Sequence, residues 1–292
     1  MKKLDQAIRN SEKGQIDIGL FEARKKMLKP ELQSGVQRAD SIMHSSPPVQ
    51  EAKRLLGLPA KQWYTLELEA AQKYGDSGRV QQCKLRLWEI DMAAVGDGYA
   101  RWSNWQGLRT PQEYAKGKFF GKTKCAEGMC MADKAIVNQP LTKDMSPEFK
   151  KMAKDMNKAV LAFVGLKNDP RGPDQAAVDA LSIASRSPGA TNELYCQIFK
   201  ATSQSPKVQD PQVYEKAFDL LGIALYSFVP QDEELLKHAF MVAFKKSPRY
   251  AKCASHGKFT PSGPPRGGMD ITKIRSDIDT MNQQPGAFLS LV

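Results

Sequence analysis

The sequence predicts an all-α protein, in which a C-terminal helical bundle follows an N-terminal helical region and an extended, aromatic-rich arm. Three observations indicate this class. Apolar residues recur every three to four positions over long stretches, which is the period of an α-helix. Pro and Gly stand where such stretches begin and end. The 292 residues are 41% hydrophobic, which is ordinary for a folded protein with two cores. We expect three parts, at residues 1–98, 99–144 and 145–292.

The N-terminal region is expected to contain several interrupted helices. Residues 17–40 have helical spacing with a break at Pro30, and the prolines of the segment 45–48 interrupt the pattern again. A helix at residues 62–73 is expected to partner the next one, which starts after Gly78. Gly96 is expected to close that second helix, because glycine is favoured just past a helix end.

The arm, residues 99–144, has no regular period but is dense in aromatic residues. They are Tyr99, Trp102, Trp105, Tyr114, Phe119 and Phe120. Rings of this size favour burial, so a solvated linker is not expected. We expect the arm to be anchored, either on the protein's own bundle or on a partner.

The C-terminal half predicts a series of helices. Ser146 and Pro147 start the first, and Gly165 ends it. A second begins near Asp174, and a fourth begins at Pro211 and is apolar over a wide arc, so we expect it to be central. Two further amphipathic helices are expected at residues 231–244 and 270–281.

The third helix of this half contains the most specific sequence motif in the chain. The segment 191–200 reads TNELYCQIFK, and Leu194, Tyr195, Ile198 and Phe199 lie on one helical face. An acidic residue, Leu-Tyr-Cys-Gln, an apolar pair and a Lys resemble the signature of the myosin tail homology 4 domain. A second match follows, where Gly263-Pro264-Pro265-Arg266 precedes the sequence DITKI at 270–274. The resemblance covers roughly residues 145–292, although Lys216-Ala217-Phe218 stands where family members show Arg-Gly-Trp.

Charge points to an acidic partner. Lys and Arg outnumber Asp and Glu by 43 to 32, an excess of +11. No acidic residue lies between Glu234 and Asp270, while seven cations do. The resemblance implies that such a basic helical surface binds microtubules or acidic peptides. On charge and position, the predicted partner-binding residues are Lys245, Lys246, Arg249, Lys252 and Lys258.

Catalytic and cofactor chemistry is not predicted. Gly121-Lys122-Thr123 is the end of a phosphate-binding loop without its first glycine, since residue 116 is Lys. Cys125 and Cys130 have no second pair that would complete a zinc site, and Cys253 with His256 could complete it only by the accident of folding. We therefore expect no enzyme, no cofactor and no metal. The N-terminus is not expected to be a secretory signal, and five scattered cysteines, an odd number, suit a reducing cytoplasm.

The function predicted from sequence is that of a non-enzymatic cytoskeletal adaptor that binds tubulin in microtubules, with the ciliary axoneme as one setting. The alternative is a soluble adaptor that binds an acidic segment of another protein. A third reading, nucleic-acid binding, is favoured by charge but lacks a recognised motif.

Overall fold

The computed structural model describes residues 2–96, 99, 101–116, 126, 128–137, 139–144, 146–259 and 270–283. The predictions made for Phe119, Phe120, Gly121–Thr123, Cys125 and Gly263–Arg266 fall outside the described residues. Every extended element described is a helix, and the two isolated β-bridges, Leu108 with Thr142 and Ser205 with Val208, do not form a sheet. The predicted all-α class is confirmed. The chain divides into two compact units, the first up to Ala93 and the second from Ala94 onward.

The N-terminal unit consists of five helices. They are α1 (Lys2–Lys26), α2 (Lys29–Ser41), α3 (Pro47–Leu56), α4 (Ala60–Lys73) and α5 (Ser77–Ala93). The break between α1 and α2 falls at Met27 and Leu28, so Pro30 sits in the first turn of α2, where its missing N–H costs nothing. Ser46 caps α3, as its side chain accepts from Val49 N. A core around Leu20, Leu32 and Trp63 holds the unit together.

The C-terminal unit holds the remaining helices. After a 3₁₀ turn at Trp102–Asn104 these are α6 (Pro111–Ala115), α7 (Pro147–Phe163), α8 (Pro173–Ala184), α9 (Pro188–Thr202), α10 (Pro211–Ser227), α11 (Glu233–Lys246), α12 (Pro248–Phe259) and α13 (Ile271–Gln283). Ser146, Ser187, Asp210 and Asp232 cap α7, α9, α10 and α11 with their side-chain oxygens.

Two features of this unit differ from the sequence expectations. The signature helix starts at Pro188, before Asn192, because Ser187 caps it there and Pro188 occupies its first turn. Helix α12 was not predicted, because its buried residues are mostly small: Ala251, Cys253, Ala254, Ser255 and Gly257. The basic stretch between Glu234 and Asp270 is thus largely helical over its described part.

The core centres on α9 and α10. Every residue of α9 from Glu193 to Ala201 is buried, whereas the continuous buried run of α10 is Leu220–Ser227. The signature helix α9 is therefore covered on all sides. Its polar side is buried as well as its apolar side, because part of the arm lies on it. In the described residues no helix is long and apolar enough to cross a membrane.

Candidate partner-binding surface

The five cations predicted to bind a partner lie on two consecutive helices. Lys245 and Lys246 occupy the last turn of α11, where positive charge interacts favourably with the helix dipole. Arg249, Lys252 and Lys258 follow on α12. The structure therefore brings all five onto α11 and α12, and we call this set the α11–α12 basic surface.

Three of these cations form ion pairs with acids that are distant in sequence. Lys246 pairs with Glu215 of α10, and Lys258 Nζ lies 2.5 Å from a carboxylate oxygen of Glu233. Arg249 Nη2 lies 2.5 Å from Asp279 Oδ1 of α13. The acid-free stretch of the sequence is thus partly compensated in three dimensions by the neighbouring helices.

These ion pairs remain open to water. The side chains of Glu215, Asp279 and Glu233 are 62%, 54% and 64% exposed. Pairs this exposed contribute about 0–1 kcal/mol to stability, because solvent screens both charges. Another carboxylate can therefore replace the internal acid at little cost.

Aromatic rings support the same surface from below. Lys246 Nζ lies 5.1 Å from the ring centroid of Phe218, and the Phe218 and Tyr250 rings are 6.1 Å apart. The guanidinium carbon of Arg249 lies 5.9 Å from the Tyr250 ring. Lys252, which is half-buried, forms no ion pair with any residue that the structure describes.

A second group of polar residues, which sequence reasoning did not assign a role, lies on the signature helix. Glu193, Gln197 and Lys200 follow one another at helical spacing, and we call them the polar stripe of α9. Glu193 is fully buried and accepts hydrogen bonds from Leu141 N, Thr142 N and Thr142 Oγ1 at 2.8–3.1 Å. Burial raises the pKa of this carboxyl, and the hydrogen bonds oppose that change. The carboxyl therefore fixes the end of the arm on the bundle.

The other two residues of the polar stripe extend this attachment. Gln197 Nε2 donates to Glu193 Oε1 at 2.8 Å and to Ala153 O of α7 at 2.9 Å. Lys200 Nζ donates to the carbonyl oxygens of Gly128, Met129 and Met131 at 2.6–3.0 Å. One lysine thus satisfies three main-chain carbonyl groups of the arm.

Aromatic residues anchor the start of the arm. The Trp102 ring packs on Phe199 with centroids 5.6 Å apart, and Trp102 Nε1 donates to Ser203 Oγ. His238 Nδ1 lies 2.5 Å from Tyr99 O. Of the two anchoring sites left open by the sequence, these described residues use the protein's own bundle.

Burial governs the protonation of several reactive side chains in the described parts of the chain. Burial raises the pKa of the Cys253 thiol to about 12 and that of Cys83 to about 11, so both stay protonated at neutral pH. Burial lowers the pKa of His238 and of His256, whose ring stacks on Tyr226 at 4.0 Å. No group of three or more metal-ligating residues occurs among the described residues. The absence of an enzymatic activity stays a prediction.

Comparisons with known proteins show a similarity to a myosin. No family model matches it. It is 28% identical over 217 residues to the high molecular weight form of myosin-1 from Acanthamoeba castellanii, a match that covers 74% of this chain and 13% of the relative. The chain thus spans about an eighth of the length of that curated relative.

Solved structures similar to the chain are MyTH4-FERM domains, where MyTH4 stands for myosin tail homology 4. The MF2 domain of Dictyostelium discoideum myosin VII is 18% identical with a TM-score of 0.47, and the match covers 64% of this chain and 41% of that one. The C-terminal domain of human myosin 7b, solved in complex with the harmonin-a PDZ3 domain, is 18% identical with a TM-score of 0.44 over 59% of this chain and 34% of that one. The resemblance to the myosin tail homology 4 domain, predicted from the signature helix, is confirmed as a resemblance.

Proposed function

We propose that this protein is a non-enzymatic cytoskeletal adaptor that binds microtubules through the α11–α12 basic surface. The observation that supports this most is that three cations of this surface are paired with exposed acids of the same chain. Lys246, Arg249 and Lys258 are held in place by internal acids that are themselves more than half exposed. Carboxylates of tubulin can take the place of these acids, because exposed pairs are weak and exchange readily.

The arrangement also reduces the entropy lost on binding. The Phe218 and Tyr250 rings support Lys246 and Arg249, so their long side chains are already restrained before a partner arrives. A surface of this kind is suited to docking on a fixed acidic lattice. A stationary position on the microtubules of a ciliary axoneme is part of the proposal and is checked by immunolocalisation.

Co-sedimentation with taxol-stabilised microtubules tests the proposal. The triple variant Lys245→Glu, Lys246→Glu, Arg249→Glu is expected to pellet at least about tenfold less than the wild type, and wild-type pelleting is expected to fall with salt. The matched control reverses Lys26, Lys73 and Lys84, which are exposed lysines of the N-terminal unit. Equal pelleting of the two triple variants, with unchanged circular dichroism, would contradict the proposal. Removal of the acidic tubulin tails then shows which part of tubulin is bound.

A further inference from the structure

Helix α7 carries a face of lysines that does not belong to the α11–α12 basic surface. The lysine face consists of Lys150, Lys151, Lys154 and Lys158. Each helical residue turns by about 100°, so the four lysines fall within about 100° of one another. The buried residues of α7, among them Ala153 and Met156, fall on the other side of the helix. The lysine face therefore points to solvent.

Internal acids do not compensate this face as they do the α11–α12 basic surface. Lys158 Nζ pairs with Asp155 Oδ1 at 2.8 Å. Lys150, Lys151 and Lys154 form no ion pair within the part of the chain that the structure describes. Three positive charges on neighbouring turns are thus available to an outside partner.

Lys150 and Lys154 also lie where their charge does not stabilise the helix. Lys150 and Lys154 are four residues apart, a spacing at which like charges repel. Both lie in the N-terminal half of α7, towards the positive end of the helix dipole. Their charge therefore does not stabilise the helix, which favours a role in recognition.

A groove of about 540 Å³ adjoins the lysine face at Lys158. Apolar side chains line part of it, namely Ile136, Ala159, Ala162 and Ile183. Of its three acids, Asp169 and Asp179 are paired with Arg171, and Asp155 is paired with Lys158. Exposed Lys167 and Arg186 add further positive charge at its rim. The groove thus offers an apolar floor with a positive border.

We propose that the lysine face and this groove together bind an extended acidic segment of a partner protein. Carboxylates of the segment contact Lys150, Lys151 and Lys154, and an aliphatic side chain enters the groove. From Lys150 to Lys158 the face is about 12 Å long, which matches roughly four residues of extended peptide. No exposed large apolar side chain described in the structure lies on this surface, so it lacks both the stacking rings for nucleic-acid bases and the protruding residues for a membrane. This site shares no residue with the microtubule proposal and stands independently of it.

The test measures binding of the full chain to a fluorescent Glu-rich peptide that carries one leucine. The variant Lys150→Glu, Lys151→Glu, Lys154→Glu is expected to raise the Kd by about tenfold or more. The matched variant Lys26→Glu, Lys73→Glu, Lys84→Glu changes the net charge equally at exposed lysines outside both basic surfaces and is expected to stay within about twofold of the wild type. Equal weakening of both variants would show attraction to net charge alone and would overturn the site. If the reversed variant loses its helical circular dichroism, the three lysines are replaced by glutamine instead, and an unchanged Kd of that folded variant also overturns the site.

Two further experiments test the chemistry of the partner that binds this site. Ala162→Leu fills the groove, so it is expected to abolish the preference for the leucine-bearing peptide over an all-Glu peptide. Preserved preference would remove the groove from the proposal. A single-stranded oligonucleotide or anionic vesicles of phosphatidylserine that bind the lysine face more tightly than the peptide would overturn the choice of a protein partner. Microtubule pelleting of the α7 variant is read separately, and it is expected to match the wild type.

Discussion

Single polar residues of the signature helix decide how the arm lies on the bundle. The spacing of apolar residues in the segment 191–200 predicts an amphipathic helix whose polar side is exposed to solvent. In the fold that side meets main-chain groups of the arm, so Glu193 receives amide donors and Lys200 supplies donors to carbonyls. Both side chains are buried, and burial without these partners would be costly. The charges of the signature therefore have a structural role.

Replacement of Lys200 by Met tests this role. Lys200→Met keeps the length and volume of the side chain but leaves the carbonyl oxygens of Gly128, Met129 and Met131 without this donor. We expect a loss of about 1–3 kcal/mol in the free energy of unfolding, measured by urea denaturation. Lys207→Met is the control, because that lysine is 59% exposed and pairs only with Asp133 in the described structure. A loss for Lys200→Met no larger than for the control would contradict the role.

His238 should make stability depend on pH. The carbonyl of Tyr99 can only accept, so Nδ1 of His238 carries the proton that it donates. Burial lowers the pKa of His238, so the unfolded chain takes up a proton at a higher pH than the folded protein. The histidine is then neutral in the fold, and stability is lost as the pH falls below about 6.5 towards the lowered pKa.

His238→Asn checks this dependence, because its amide nitrogen can still donate to Tyr99 O without titrating. Thermal melts between about pH 7.5 and about pH 5.5 should show a smaller loss of stability for the variant than for the wild type. His256, whose pKa is also lowered by burial, leaves a residual dependence in both proteins. An identical pH profile for variant and wild type would contradict the assignment.

Among the elements, those whose start signals coincide with an apolar pattern were predictable. Ser146-Pro147 and Asp210-Pro211 marked the first residues of α7 and α10 correctly, since capping and apolar spacing agree there. Helix α12 escaped prediction because its buried residues are Ala, Cys, Ser and Gly, which give no strong apolar period. The contact between the arm and α9 was also not predicted. The side chains of α9 bind main-chain atoms of the arm, and such contacts do not depend on the residue types of the arm.

Helix α12 packs against α10 at a distance that only glycine permits. A Cβ built on Gly257 would lie 1.8 Å from Leu225 O, a backbone atom that cannot turn aside. Gly257→Ala should therefore separate α10 and α12 and lower the free energy of unfolding by about 1–3 kcal/mol or more. Gly189→Ala is the control in the same unit, because its Cβ would meet Phe149 at an ordinary 3.5 Å. Similar denaturation midpoints for the two variants would show that α10 and α12 can move apart freely.

For the whole molecule, the distribution of charge along the sequence differs from the distribution of charge on the folded surface. The stretch between Glu234 and Asp270 has no acid, yet its cations meet Glu215, Glu233 and Asp279 in the fold. The five predicted residues lie on α11 and α12, but the acids that pair with three of them lie 25 to 31 residues away in the sequence. Conversely, Lys150, Lys151 and Lys154 lie close to Glu148 and Asp155 in sequence and form no ion pair with them in the described structure. Only the folded chain shows which cations are open to a partner.

The internal acids should therefore act as competitors of an acidic partner, and their removal should strengthen binding. The variant Glu215→Gln, Glu233→Gln, Asp279→Asn keeps side-chain size and releases Lys246, Lys258 and Arg249 from their ion pairs. Because these pairs are exposed, their loss should cost little stability, while microtubule affinity in co-sedimentation should rise by about threefold or more.

The matched control, Glu31→Gln, Glu69→Gln, Glu148→Gln, adds the same net charge at acids that pair with none of the five cations. A gain of equal size in the control would mean that total charge, and not the release of these three side chains, governs binding. A fall in affinity would mean that the ion pairs hold the cations in the geometry that a partner needs, which is the opposite of competition.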